Sequence, residues 1–290
     1  MSSRRLLAAH GLRPKKSFGQ NFLEDPTLCA KIAALCELRN PLGGELRGPS
    51  DGGRVVELGA GLGALTAALL EEASAVVAVE RDRDLVPILE ERFAGRERLT
   101  IVEADAAKID VAALLEPGPA PRVLAGNLPY QITGRLIERA VHQATAIDRA
   151  VFMVQREVAD RLCAPPGGKD YGALSVFTQA AFVVQRAMKV SAGAFHPRPK
   201  VDSAVVVLTS RRPPLAVEDD VFRAVVKRAF GQRRKTLRNA YKGLLGLDRD
   251  AVRAAAEATG ISLDARAETL SVEDFATFAA QLRRDAPRSR

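Results

Sequence analysis

The residues with the clearest chemistry are Gly126-Asn127-Leu128-Pro129-Tyr130, which follow the apolar run Val123-Leu124-Ala125. An amide, a carbonyl held beside a proline and an aromatic ring suit a planar amine. The exocyclic amine of adenine is a poor nucleophile because its lone pair is delocalised into the ring. The side-chain oxygen of Asn127 and the carbonyl of Leu128 can accept its two N–H bonds and so turn that lone pair toward a methyl donor. Pro129 fixes the turn, and Tyr130 offers a stacking face. Little general-base strength is needed, since the nitrogen becomes acidic as it is methylated. Positioning therefore carries most of the catalysis. An ordinary Asn-Leu-Pro turn contains the same residues, so the motif takes its meaning from what surrounds it.

A second candidate precedes it. Val55-Val56-Glu57-Leu58-Gly59-Ala60-Gly61-Leu62-Gly63 follows a predicted strand and opens a helix. Glycines there permit a tight turn and close approach of a ligand to backbone N–H groups. With Ala64 in the third small position the run also satisfies a relaxed dinucleotide fingerprint, and Glu80 ends the next strand at the ribose-binding distance. A carboxylate at that place binds ribose hydroxyls of either a nicotinamide cofactor or S-adenosylmethionine. Glu57 favours a cationic ligand near the loop and disfavours a pyrophosphate. Asp105, in Val102-Glu103-Ala104-Asp105-Ala106, reaches the same edge and could accept from an adenine amine, although a lone Asp after a strand is more often a helix N-cap. A nicotinamide-dependent dehydrogenase stays open on the glycine loop alone; Asn127–Tyr130 argues against it.

The elements that must position these residues alternate. Arg54–Leu58, Ala75–Glu80, Leu99–Glu103, Arg122–Ala125 and Ala150–Gln155 read as strands. Helices are predicted over Asp25–Leu38, Ala64–Glu72, Asp84–Phe93 and about Gly134–Gln143. Such alternation implies crossover connections and a mostly parallel sheet. Two later strands, Arg186–Val190 and Ala204–Thr209, follow a helix ending at Phe182 with no helix between them, which predicts an antiparallel edge. After Arg211-Arg212-Pro213-Pro214 the chain reads as helices, with candidates at Asp219–Phe230, Arg234–Leu245, Asp248–Thr259 and Val272–Leu282. The expected domains are 1–212 and 213–290.

The composition fits such a molecule. The 290 residues are 47% hydrophobic and 27% charged, which is globular and not disordered. Cys29, Cys36 and Cys163 make no disulfide framework or zinc spacing, and His10, His142 and His196 are far apart, so no metal is expected. No apolar run is long enough for a membrane span and no secretory signal is visible, which predicts a cytoplasmic protein. The net charge of +8 is uneven: +4 over residues 1–50, −2 over 51–210 and +6 over 211–290. Basicity clustered at the ends is what a polyanion partner requires.

Taken together, the chain resembles the ribosomal RNA adenine N6,N6-dimethyltransferases, specifically the small-subunit type that modifies two adjacent adenines near the 3′ end. The resemblance spans nearly the whole chain. It runs from Lys16-Ser17-Phe18-Gly19-Gln20-Asn21-Phe22-Leu23 through the motifs above and Gln155-Arg156-Glu157-Val158 to Tyr171-Gly172-Ala173-Leu174-Ser175. It continues with Phe195-His196-Pro197-Arg198-Pro199-Lys200-Val201-Asp202-Ser203-Ala204 and ends with Ala229-Phe230-Gly231-Gln232-Arg233-Arg234-Lys235-Thr236-Leu237-Arg238-Asn239. The loop from about Arg39 to Gly53 is longer than is typical of the family.

The resemblance implies a Rossmann-like class I methyltransferase sheet, mostly parallel with an antiparallel edge, plus a small all-α C-terminal domain. It implies an S-adenosylmethionine site lined by Asn21, Leu23, Gly59, Glu80, Asp105 and Asn127, and a catalytic set of Asn127, Leu128, Pro129, Tyr130 and Phe195. In that set Phe195 holds the target base opposite Tyr130. Lys227, Arg228, Arg233, Arg234, Lys235 and Arg238 form the basic face expected to track phosphates of 16S rRNA in the small ribosomal subunit. They distinguish this type from related enzymes that methylate a large-subunit adenine and confer antibiotic resistance. An assembly factor whose binding matters more than its methylation is the remaining alternative, and a monomer is expected.

Overall fold

The computed structural model describes residues 2–39, 51–116, 118–232 and 234–285. Most of the long loop and Arg233 therefore lie outside the described residues. Nine strands are formed among them: β1 (Phe22–Leu23), β2 (Arg54–Leu58), β3 (Ala75–Glu80), β4 (Leu99–Glu103), β5 (Arg122–Asn127), β6 (Arg149–Gln155), β7 (Phe182–Val190), β8 (Phe195–His196) and β9 (Ser203–Ser210). The helices are α1 (Ser3–Ala9), α2 (Pro26–Ala34), α3 (Ala64–Glu72), α4 (Val86–Arg92), α5 (Val111–Leu115), α6 (Thr133–His142), α7 (Arg156–Cys163), α8 (Ala173–Ala181), α9 (Asp220–Gly231), α10 (Leu237–Ala240), α11 (Arg249–Thr259) and α12 (Val272–Asp285).

Seven strands form one sheet in the order β4-β3-β2-β5-β6-β9-β7. The first five are parallel, and β9 runs antiparallel to β6 with Gln155 opposite Ser203. Central strands such as Val55–Leu58 and Val123–Ala125 are buried on both faces, which is why they read as continuous apolar runs. The two late strands stand at one edge of the sheet, as expected, with β9 antiparallel to β6 and β7 outermost. Ser203–Leu208 is buried throughout and needs neighbours on both sides, whereas β7 carries the exposed Arg186 and tolerates the edge. The order reverses direction between β2 and β5, and at such a switch point the carboxyl ends of the strands open a crevice. Glu80, Asn127 and the glycine loop all lie at that end. A separate two-stranded pair sets Phe22 opposite His196 and Leu23 opposite Phe195.

The chain divides into two units: residues 1–159 with 185–210, and residues 160–184 with 211–290. The single cut near Pro213 is thus incomplete. Residues 160–184 join the helical unit because Tyr171, Val176 and Ala180 are buried in one apolar cluster with Phe222, Val226, Phe275 and Phe278. A further correction concerns Arg234–Leu245, which is not one helix. Only Leu237–Ala240 is α-helical there: Thr236 is extended and bridges Arg266 before it, and Gly243 and Leu245 adopt positive φ after it. Asp25–Leu38 is also shorter than predicted. Its helix starts where Asp25 accepts from the backbone N–H groups of Thr27 and Leu28 and Pro26 sets φ, and it ends at Ala34.

Candidate active site

The crevice encloses about 1120 Å³ open to solvent, and its walls include Asn21, Leu23, Glu57, Gly59, Glu80, Asp105, Asn127, Leu128, Pro129 and Tyr130. Every residue expected at the cofactor site is therefore in one place, and so are four of the five expected at the catalytic site. Phe195 is the exception. It does not line the crevice; it is 4% exposed and packs in an apolar cluster with Leu23, Cys29, Met153 and Val190. Its strand partner, Leu23, contributes to the wall in its place. The Phe-x-Pro-x-Pro pattern reads the same whether its phenylalanine faces a pocket or the core, so sequence could not separate the two.

Asn127 ends β5, where its side-chain Nδ2 donates to the carbonyl oxygen of Asn21 at 2.9 Å. A carbonyl only accepts, so this bond fixes which way the amide faces and leaves Oδ1 as the open acceptor. Leu128 is pinned by its N–H on the Met153 carbonyl (3.0 Å), while the Pro129 carbonyl accepts from Ile132 N and from Thr133 Oγ1. The Tyr130 hydroxyl meets Ser203 Oγ at 2.9 Å, which holds the ring from β9. Burial raises the Tyr130 phenol, with the Ser203 bond partly opposing it.

The glycine loop is built around Glu80. Its Oε1 accepts from the backbone N–H groups of Arg81 and Asp82 (2.8 Å each), and its Oε2 accepts from Gly61 N at 2.7 Å. Burial nonetheless lifts the Glu80 carboxyl above its ordinary value. A carboxylate has about four acceptor positions, so Oε2 retains one for a ligand hydroxyl. Gly63 has φ +78°, and a Cβ on it would come within 2.5 Å of the Phe93 ring, so only glycine closes the loop here.

Glu57 corrects the sequence reading. It is fully buried, its Oε2 accepts from Thr66 Oγ1 at 2.5 Å, and burial pushes its carboxyl up to about 8. It is therefore mainly neutral at pH 7 and does not supply the standing negative charge expected of it. Asp105 is engaged locally as well. Its Oδ1 accepts from Ala107 N at 3.1 Å, and its Oδ2 lies 3.5 Å from Arg81.

Sequence reasoning missed Asp82. Only 2% exposed, it takes Lys15 Nζ on Oδ1 at 2.5 Å and Gln20 Nε2 on Oδ2 at 2.7 Å. Burial pushes its carboxyl up, but these donors outweigh that effect and hold it below its usual range. On the opposite wall Gln131 Nε2 donates to the Lys16 carbonyl. Residues 15–21 are thus strapped between β3 and β5 across the crevice, and the strap delivers the Asn21 carbonyl to Asn127. Glu80-x-Asp82-x-Asp84 reads in sequence only as an acidic helix start; nothing local announces a partner 62 residues away.

The basic residues of the helical unit are less uniform than expected. Lys227 and Arg228 are exposed on α9, Arg234 and Lys235 lie in the turn after it, and Arg238 is on α10. Arg228 donates to the carbonyls of Ala240 and Lys242, and Arg238 forms a two-bond pair with Asp264 at 2.9 and 3.2 Å. The Arg228 guanidinium therefore ties α9 to α10 and the residues just after it, whereas the Arg238 pair lies exposed on the surface. Among the described residues no group of three or more His, Cys, Asp or Glu is placed to hold a metal, and no helix is long and apolar enough to cross a membrane.

The family model for ribosomal RNA adenine dimethylase matches residues 11–283. Similar proteins include ribosomal RNA small subunit methyltransferase A of Anaeromyxobacter sp. (strain K), 44% identical over 286 residues that cover 96% of each chain. The protein of the same name from Magnetococcus marinus is 45% identical over 276 residues, 94% of each chain. Among solved structures, the 23S rRNA methyltransferase ErmE is 29% identical with a TM-score of 0.63, covering 91% of this chain and 100% of that one. A dimethyladenosine transferase from Plasmodium falciparum is 23% identical with a TM-score of 0.71, covering 89% and 95%, and at that identity it speaks for the fold. The family model covers nearly the whole chain and the relatives of 44–45% identity bear it out: the chain belongs to the ribosomal RNA adenine dimethylase family.

Proposed function

We propose that this protein dimethylates the N6 amines of two adjacent adenines near the 3′ end of small-subunit rRNA, with S-adenosylmethionine as methyl donor. The observation that carries this reading is Asn127. Its amide nitrogen is tied to the Asn21 carbonyl, so its oxygen is presented as an acceptor at the rim of a crevice floored by the glycine loop.

The residues present fit the cofactor. The spare acceptor on Glu80 Oε2 suits a ribose hydroxyl, and Asn21, Leu23 and Gly59 complete the walls around it. When bound, S-adenosylmethionine supplies an electrophilic methyl group on a sulfonium. Asn127 Oδ1 and the Leu128 carbonyl accept the two N–H bonds of adenine and localise the nitrogen lone pair. Tyr130, fixed by Ser203, stacks on the base and keeps the nitrogen in line for attack. The second transfer needs only one N–H acceptor, so the same pair serves both steps. On this reading the exposed Lys227, Arg234 and Lys235, with Arg233, contact rRNA phosphates from the helical unit, and the protein works in the cytoplasm, where subunits assemble.

A second reading, methylation of a large-subunit adenine, draws on the likeness to ErmE; the higher identity to relatives named for the small subunit favours the first. Transfer of labelled methyl to undermethylated small subunits, to large subunits and to naked RNA decides between them once the products are mapped by mass spectrometry. Dimethyladenosine at two adjacent small-subunit positions is the expected result. Label confined to large-subunit RNA overturns it.

A further inference from the structure

A groove outside the crevice is lined by Arg4, Leu7, Leu12, Arg13, Pro14 and His196. Arg4, Arg13 and His196 bring polar groups to it, Leu7, Leu12 and Pro14 apolar ones, and among the described residues that line it there is no carboxylate. Arg4 and Arg13 are exposed and make no ion pair or side-chain hydrogen bond among the described residues. Most other arginines of this unit are engaged: Arg54, Arg81, Arg92, Arg122, Arg139 and Arg149 each bond a carbonyl or a carboxylate.

The helix that carries Arg4 is firmly placed. Ser3 N donates to Glu24 Oε1 at 2.9 Å, and Leu7 is 2% exposed in a cluster with Phe22, Leu62 and Leu85. Arg4 and Arg5 occupy the first turn of α1, where the helix dipole favours acidic side chains, and no acidic residue is present there. Local helix stability therefore does not account for the cations. Position does. His196 is the strand partner of Phe22, and Phe22 lines the crevice, so the groove lies one strand away from the crevice.

We propose that this groove binds the backbone phosphates of single-stranded RNA next to the target adenine, with Arg4 and Arg13 as the phosphate contacts and His196 as a hydrogen-bonding partner. The proposal rests on the RNA-methylation reading above and adds a second RNA contact, on the catalytic unit itself. A phosphate held beside the crevice would fix the register of the strand, so that the base reaching Asn127 is chosen by its distance along the backbone.

The test uses the full chain and the double variant Arg4→Ala/Arg13→Ala. Binding of a fluorescent single-stranded oligoribonucleotide is followed by anisotropy over a range of salt concentrations. Methyl transfer to undermethylated small subunits is measured in parallel. Loss of two phosphate contacts on a single strand should make the slope of log affinity against log salt shallower by about 1.4. It should also raise KM for subunits about 10-fold, while kcat and the S-adenosylmethionine Kd stay the same. An unchanged salt slope overturns the proposal. So does a weaker S-adenosylmethionine Kd accompanied by a lower melting temperature, because the arginines would then be structural. If the unaltered protein fails to methylate small subunits, the functional reading falls, and the anisotropy slopes still decide the groove.

Discussion

The α/β unit and the helical unit treat their polar groups in opposite ways. In the first, Glu57, Glu80 and Asp82 are all buried, and each is held by hydrogen bonds that leave it aimed at or around the crevice. In the second, no charged side chain is buried among the described residues. Its interior is aromatic and aliphatic, with the Tyr241 and Phe278 rings stacked at 5.3 Å, and its cations face outward. One unit builds a concave site whose groups are stationed before a ligand arrives. The other is an apolar scaffold whose chemistry lies on its surface. Changes inside the first should alter cofactor and proton behaviour, whereas changes inside the second should alter stability alone.

Phe278→Ala should have the largest effect. The ring is completely buried, and its removal should cost about 3–5 kcal/mol of stability in denaturant unfolding. Below the transition, S-adenosylmethionine affinity should be unchanged, since the residues proposed to bind it lie in the α/β unit. A matching loss of affinity would break the division between the units. Asp82→Asn sharpens the same division from the other side. It weakens the hold on Lys15 and Gln20, so the strap over the crevice loosens. Isothermal titration should show S-adenosylmethionine affinity reduced about 10-fold, roughly the value of one charge-assisted hydrogen bond.

Glu57→Gln tests the neutral carboxyl. Because burial lifts the folded value from 4.5 to about 8, the native state binds a proton that the unfolded chain has released. The stability this contributes is complete below pH 4.5 and is lost as pH rises toward 8. The glutamine variant should therefore show a flatter dependence of melting temperature on pH across that interval; an unchanged slope would mean that Glu57 is ionised. The smallest effect is expected for Arg238→Ala. Its pair with Asp264 is exposed and salt-screened, so thermal unfolding should barely change.

The contrast between the units also explains what was legible in the sequence. The partly exposed edge strand Leu99–Glu103 was readable from its β-branched Thr-Ile-Val run. Arg54–Leu58 and Ala75–Glu80 were readable to the residue because strands buried on both faces appear as short apolar runs bounded by turn residues. Glu80 and Asn127 were legible as site residues for a related reason: each ends such a strand at the ligand-binding edge. Contacts made at long range were not legible. The pairing of Phe22 with His196, the strap fixed by Asp82 and the burial of Phe195 depend on partners far away in the chain, which leave no local period or spacing. The helix predicted over Arg234–Leu245 failed for a different reason. Its composition is helical, but Thr236 is drawn into a bridge with the distant Arg266 at one end, and Gly243 and Leu245 take left-handed conformations at the other. The protonation of Glu57 depends on burial, which the sequence does not state.

The central claim is that Asn127 is a positioned acceptor for the target amine, within the cofactor crevice but apart from the groups that bind the subunit. Asn127→Ala tests it most directly, through label transfer to undermethylated small subunits alongside S-adenosylmethionine titration and subunit co-sedimentation. The account predicts that methylation falls at least about 100-fold while subunit binding is retained and cofactor affinity changes by no more than a few-fold. Methylation that persists at a comparable rate, or subunit binding that disappears together with it, would contradict the account.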